Sequence, residues 1–332
     1  MTHKSDLSRL SEMVNGFQQT CVLVAALQVG LVDRLQTGGD SAPALAAHLQ
    51  LQPLALTRLL RVLRGMGLVS QQGETWQLTA AGQLLGQQGL GAGLRAWADL
   101  VGGEYLAAWG QLSHSLKTGE PAFPQVFAMS AWEHRQQNPA LNQSFQRLTG
   151  GEQARALTAL LRSYDFSAYH QVVDVGGGQG RLLTGLLQKF PHLSGILFDL
   201  PHVVAGATLG ERCQALGGSF LEGVPAGGDL YLLKHILHNW DDATCLTILG
   251  HCRQAMGPKG TLLVLEHILP EEDGQADLPL LMLDLHMLTV LGGRERSESE
   301  YTELLAGAGL HMEQRWSTRA GAPDILQVRS KS

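Results

Sequence analysis

The stretch Val172-Val173-Asp174-Val175-Gly176-Gly177-Gly178-Gln179-Gly180 constrains the fold more than any other part of the chain. A short β-branched apolar run ends in a glycine turn, and residues 181–187 then read as a helix. That is the strand–loop–helix opening of a nucleotide-binding α/β unit. Glycines in such a turn let a ligand lie against the main chain without meeting a Cβ. Here they recur at 176, 178 and 180, unlike the G-x-G-x-x-G of dinucleotide enzymes, and Asp174 stands two residues ahead of the first. An acid at that place is awkward for a pyrophosphate and suits a ligand that carries positive charge.

S-adenosylmethionine, with its sulfonium and ammonium, is a ligand of that kind, which makes Asp174, Gly176 and Gly178 candidate cofactor contacts. From about residue 166 the chain alternates strand and helix. Strands are expected at 172–175, 195–199, 218–221, 229–233 and 261–266, with two more at 311–316 and 325–328. The fold class this predicts is α/β: a Rossmann-like, doubly wound, mainly parallel sheet with helices on both faces. Ligands in such sheets gather at the carboxyl ends of strands. Asp199 ends the second strand, about twenty residues past the glycine turn, where a carboxylate can accept both ribose hydroxyls; a helix cap before Pro201 is the plainer alternative. Past the fourth strand come Lys234, His235 and His238, followed by Trp240 and two acids. Imidazole exchanges its proton near neutrality, so a histidine here suits the removal of a hydroxyl proton. Such a base needs an acceptor on its other nitrogen, for which Glu266 and Glu295 are candidates. The segment around Glu295, Gly292-Gly293-Arg294-Glu295-Arg296, also reads as an exposed salt-bridged loop.

The amino-terminal region has a different grammar. Helical spacing over 7–35 leads to Ser41-Ala42-Pro43, a helix start, and to a second helix with Leu56, Leu59, Leu60 and Leu63 on one face. Gln71-Gln72-Gly73-Glu74 then turns a hairpin, completing a winged helix-turn-helix. A DNA-binding regulator is therefore a second class of hypothesis. Arg58, Arg61 and Arg64 line the second helix, but the wing carries no cation for a phosphate, and packing or dimer contact is the plainer use. Residues 90–165 keep helical periodicity and hold Trp97, Tyr105, Trp109, Phe123, Phe127, Trp132 and Phe145, mostly as core with some able to wall a flat, apolar substrate.

Composition narrows the partners. A net charge of −6 gives no general reason to expect nucleic acid, and the four cysteines form no C-x-x-C pair or metal cluster, so no metal is expected. The apolar run at 21–27 is too short to span a bilayer and lacks the frame of a signal peptide, so the expectation is no membrane partner and a cytoplasmic protein.

Together, VVDVGGGQG (172–180), FDLPHV (198–203), PAGGDLYLLKHILHNWDD (225–242), GPKGTLLVLEHILP (257–270) and DLHMLTVLGGRERSESEYTELLAGAGL (284–310) resemble the S-adenosylmethionine-dependent O-methyltransferases of the plant caffeate and bacterial small-molecule type. The resemblance covers nearly the whole chain. It implies His238 as catalytic base, flanked and oriented by Glu266 and Glu295. It implies Gly176 and Asp199 on the cofactor's amino-acid and ribose portions, Lys234 by the adenine, and Met282, Asp284 and Met287, with Trp240, on the acceptor side. It also implies a homodimer in which the amino-terminal region interlocks. Two departures stand out: Gly218-Ser219-Phe220 replaces an acid-bearing pattern with a neutral serine, leaving Ser219 and Phe220 as the cofactor contacts there, and Asn239 replaces the usual aspartate. The expected organisation is a dimerisation domain at 1–100, a helical linker and substrate-pocket region at 101–165, and the methyltransferase domain at 166–332. The expected reaction is methylation of a phenolic or enolic hydroxyl of a small secondary metabolite. N-, C- or carotenoid-type hydroxyl methylation is the alternative within enzymes.

Overall fold

The computed structural model describes residues 2–89, 91–272, 274–318 and 321–331. Its contacts divide the chain into two units: residues up to Leu106 together with Arg135–Leu148, and Ala107–His134 together with Thr149 onward. The segment expected as a separate linker at 101–165 is thus shared between the two.

In the first unit, a long helix (Thr2–Gln28) is followed by Leu31–Gln36, Ala42–His48 and Pro53–Gly65. The Ser41 side chain accepts from the Ala44 amide and Pro43 sits in the first turn, as the sequence predicts for that helix start. Strands β1 (Asp40–Ser41), β2 (Val69–Gln72) and β3 (Thr75–Leu78) pair in the order β1-β3-β2, and β2 and β3 are the expected wing. Leu31, Leu35, Leu45, Leu56, Leu60, Leu63 and Trp76 close one core beneath them. Arg64 donates to Gln71 and covers the Trp76 ring, so the wing itself occupies it. Arg58 and Arg61 share the outer side of their helix with exposed Leu54 and Val62, a mixed apolar face unlike a groove-reading surface.

The second unit is built on a sheet of seven strands among the described residues. These are β4 (Gln171–Val175), β5 (Ser194–Asp199), β6 (Cys213–Gly217), β7 (Leu230–Lys234), β8 (Thr261–Glu266), and, after two short paired strands β9 (Ile268–Leu269) and β10 (Arg296–Ser297), β11 (Leu310–Trp316) and β12 (Asp324–Ser330). The spatial order is β6-β5-β4-β7-β8-β12-β11. The first five pair in parallel, and β12 and β11 join antiparallel. Strands buried on both faces read as continuous apolar runs, which is why β4, β7 and β8 are legible in sequence. Val173, Val175, Tyr231, Leu233 and Val264 face the helices Asp242–Met256 and Glu298–Gly307. Val172, Leu197, Leu230, Leu232 and Leu263 face Arg181–Lys189 and the end of Pro139–Ser163.

One strand lies earlier than expected. The third parallel strand is Cys213–Gly217, not 218–221, because Gly217 pairs opposite Asp199 and the ladder ends there. Ser219 and Phe220 are consequently loop residues at the strand's carboxyl end. The chain order reverses direction in the sheet between β4 and β7, and ligand crevices of open α/β sheets form at that switch.

Candidate active site

The glycine turn leaves β4 at this switch. Gly176, Gly178 and Gly180 take φ of 69°, 64° and 74°, angles that other residues rarely adopt. A Cβ on Gly177 would stand 2.5 Å from Asp174 Oδ2, and one on Gly176 would crowd Ile236 and touch the Phe220 ring. Asp199 ties the turn to β5: its Oδ2 accepts from the Gly178 amide at 2.8 Å and its Oδ1 from Leu200 at 2.7 Å. It does not cap the helix that follows, whose N-cap is Leu200. Burial pushes the Asp199 carboxyl above its usual range, against those two amides. Asp174 lies under Gly177, 1 % exposed, with Oδ2 lacking a hydrogen-bond partner among the described residues. Burial raises its pKa to about 7, opposed by Lys234 and helped by Asp199.

The Lys234 ammonium, expected by the adenine, is buried 3.9 Å from Glu152 and 3.1 Å from His235 Nδ1. Burial pulls its pKa down, while Glu152, Glu266 and Asp174 hold it up, so the protein's own acids surround this cation. Trp240, expected on the acceptor side, sets its ring edge-on to Phe220 at 6.1 Å. The Ser219 hydroxyl accepts from Leu221 within its loop.

His238 occupies a short 3₁₀ turn (Leu237–Asn239) just past β7. Its Nδ1 donates to Glu295 Oε1 at 2.8 Å. Glu266, at the end of β8, does something else. Its Oε1 accepts from the amides of Ile236 at 3.0 Å, Leu237 at 2.9 Å and His238 at 3.4 Å, and its Oε2 lies 3.6 Å from Nδ1. One carboxylate therefore orients the ring and the other holds the backbone beneath it. Burial alone would lower the pKa of His238, but Glu266 and Glu295 outweigh it and push it up to about 9. Burial, with Glu295 nearby, pushes Glu266 up to about 7 despite His238. The three side chains bring ligand-type atoms within 4.8 Å of one another, and His238 Nδ1 is hydrogen-bonded to Glu295.

The helix Leu278–Leu291 supports this group. Asp284 Oδ1 accepts from the Glu295 amide at 2.8 Å, so Asp284 positions the orienting carboxylate. Met287 is buried, whereas Met282 is 46 % exposed and takes no part in the cluster. Trp109 donates to His286 Nδ1 on the same helix, and Phe123, Phe127 and His134 pack their rings together. His238, Glu266, Glu295 and Asp284 are thus brought together, and Gly176, Gly178, Asp199 and Phe220 gather around the turn, with Trp240 edge-on to Phe220.

The O-methyltransferase domain model matches residues 109–311, and the O-methyltransferase dimerisation domain matches 11–88. The chain belongs to the S-adenosylmethionine-dependent O-methyltransferase family. This methyltransferase is 39 % identical to a 3-amino-4-hydroxybenzoate 4-O-methyltransferase of Streptomyces cremeus, over 92 % of this chain and 85 % of that protein. Among solved structures it matches mitomycin 7-O-methyltransferase with a TM-score of 0.90 at 31 % identity, covering 98 % of each chain. A second match is an O-methyltransferase from neocarzinostatin biosynthesis in complex with S-adenosylmethionine and 2-hydroxy-5-methyl naphthoic acid. Its TM-score is 0.84 at 33 % identity, over 94 % of this chain and 96 % of that one. The methyltransferase takes S-adenosylmethionine as its cofactor. Its glycine cradle, which any Cβ at 176 or 177 would crowd, and the unpartnered Asp174 oxygen beneath it fit a cationic nucleoside.

Sequence reasoning did not single out two residues of the candidate site, Glu152 and Arg296. Glu152, on the helix Pro139–Ser163, carried no local signal; it reaches Lys234 and His235, and although burial opposes ionisation, His235 and Lys234 bring its pKa down to about 2. His235, which the sequence already sets beside Lys234 and His238, takes a positive φ of 52° and stacks on His238 with ring centres 5.2 Å apart. Arg296 is fully buried, although its segment reads as an exposed loop. The Ser297–Glu300 capping box immediately after it was the available signal of a fixed backbone.

Proposed function

We propose that the enzyme methylates a phenolic or enolic hydroxyl on a small aromatic or polyketide-like metabolite, with His238 as general base. The observation that carries this reading is the 2.8 Å hydrogen bond from His238 Nδ1 to Glu295, which leaves Nε2 as the nitrogen to take the hydroxyl proton. Hydroxylated aromatic acids are named for two of the relatives above, and they support this acceptor class. The glycine turn, Asp199 and Phe220 would hold S-adenosylmethionine, which when bound supplies an electrophilic methyl group. The residues of this chain align the acceptor oxygen, orient His238 and receive the proton. Glu295 and Glu266 then stabilise the imidazolium that results. Incubation with S-adenosylmethionine and a panel of hydroxybenzoates and hydroxynaphthoates should give a product one CH₂ heavier. Thiol, amine or carbon products alone, with no oxygen methylation, would reject the acceptor assignment.

The raised base has a kinetic signature. A pKa of about 9 lies closer to that of a phenol (~10) than ordinary imidazole does, which eases proton transfer at the cost of a small free-base fraction at neutrality. For an un-ionised acceptor, kcat/KM should rise about tenfold per pH unit through neutrality and level off only near the base's pKa. Glu295→Gln removes a negative neighbour of the imidazolium, so the limb should move to lower pH. A wild-type limb already at ~6.5 would contradict the carboxylate effect on His238.

The same proposal includes a homodimer through the amino-terminal domain. On the helix Thr2–Gln28, Leu7, Leu10, Val14 and Phe17 recur at heptad spacing and are 57 to 73 % exposed. Burying four such side chains would contribute ~6–12 kcal/mol per protomer before entropic costs. The double variant Val14→Glu/Phe17→Glu should therefore elute and scatter light as a monomer. A variant that remains dimeric would remove this helix from the interface.

A further inference from the structure

The base turn is gripped on both sides of its backbone. On the amide side stands Glu266, as described above. On the carbonyl side stands Arg296, whose Nη1 donates to Leu237 O at 3.1 Å and whose Nη2 donates to Trp240 O at 3.0 Å. These two carbonyls bracket His238 and Asn239. The rest of the guanidinium is committed as well: Nη2 and Nε donate to Asp242 Oδ1 at 2.7 and 3.1 Å. The side chain is fully buried and the Asp242 carboxylate half-exposed.

We propose that Arg296 is a positioning residue for methyl transfer, locking the carbonyls of Leu237 and Trp240 so that His238 is held at its working distance from Glu295. The inference rests on His238 being the base. Arg296 directly follows Glu295, so one short stretch of backbone carries both the carboxylate that orients the ring and the guanidinium that fixes the turn bearing the ring. Segment and turn are also in close contact: a Cβ on Gly293 would stand 2.1 Å from His238 O. Release of the guanidinium lets the two halves of the ion pair move independently. Displacement of a catalytic group by ~1 Å can cost ~10²-fold in rate. The geometry also requires an arginine. Its planar fork reaches two carbonyls and a carboxylate at once, whereas the single ammonium of a lysine cannot span them in the same directions.

A double-mutant cycle with His238→Ala tests this, read as kcat on a hydroxybenzoate or hydroxynaphthoate that the wild type methylates. Arg296→Lys and Arg296→Met should each lower kcat by ~10-fold or more. Calorimetry should show S-adenosylhomocysteine binding within about twofold of wild type, since the glycine turn and Asp199 are untouched. Placed on His238→Ala, the same changes should lower kcat no further, because residues acting as a unit are not additive. A purely structural arginine would impose the same loss with or without His238, and that result overturns the inference. If Arg296→Met does not fold, Arg296→Lys and Asp242→Asn, which removes the partly exposed partner's charge, complete the same cycle. Full turnover in His238→Ala alone would instead overturn the base assignment, and Arg296 with it. Large loss in His238→Ala with additive Arg296 variants would overturn the positioning role alone.

Discussion

Replacing His238 with alanine is expected to lower kcat by ~10²–10⁴-fold on a weakly acidic hydroxyl while S-adenosylhomocysteine still binds. The imidazole lies in a turn held by Glu266 and faces Glu295 through Nδ1; none of its described hydrogen bonds reaches the glycine turn or Asp199. Its loss should therefore fall on kcat and leave cofactor affinity unchanged. The deficit should shrink with an acceptor that is already ionised at the assay pH, since no proton remains to be taken. Equal loss on ionised and un-ionised acceptors would mean that the ring positions the substrate and does not act as a base. Alignment of acceptor and donor can contribute up to ~7–11 kcal/mol, more than base catalysis, so measurable turnover should persist in the variant.

The second large effect is expected at Asp199. Asp199→Ala should weaken S-adenosylhomocysteine by ~10²-fold or more in calorimetry, because a carboxylate on two hydroxyls makes two charge-assisted hydrogen bonds of ~1.5–3 kcal/mol each. The structure adds a second cause. Asp199 also accepts from the Gly178 amide, so its loss would free the turn as well as remove the proposed ribose contact. Asp199→Asn keeps an acceptor but puts an amide group in competition for Gly178, and should fall between wild type and alanine. Affinity within a few-fold of wild type in folded Asp199→Ala would exclude Asp199 from the cofactor site.

Much of the site was legible before any coordinates because its components are local. Gly176, Gly178 and Gly180 announce backbone angles that the structure indeed takes up. The apolar runs at β4, β7 and β8 announce buried parallel strands, so the residues just past them fall at the ligand edge. The wing was legible for the same reason: a glycine turn between two short strands sets its own register. The third strand lies four to five residues earlier than expected because 213–217 is partly exposed and carries little hydrophobic signal, whereas Phe220 beyond it does. Arg296 was misread because alternating charges look solvated until three carbonyl and carboxylate acceptors are seen to converge on one guanidinium.

The sequence by itself determined the winged-helix and Rossmann-like units, the methyl donor, and a short set of histidines and acids at the strand ends. Periodicity and glycine spacing carry that information within a few residues. Only the tertiary structure decided how the charges divide. It assigned Glu295 to the ring of His238 and Glu266 to the backbone below it, enclosed Lys234 among the protein's own acids, and turned Trp240 toward Phe220. Each of these depends on differences of an ångström or less between segments as distant in sequence as 152, 238, 266 and 295. Coulombic and hydrogen-bond energies change steeply over that distance, and no local pattern encodes it.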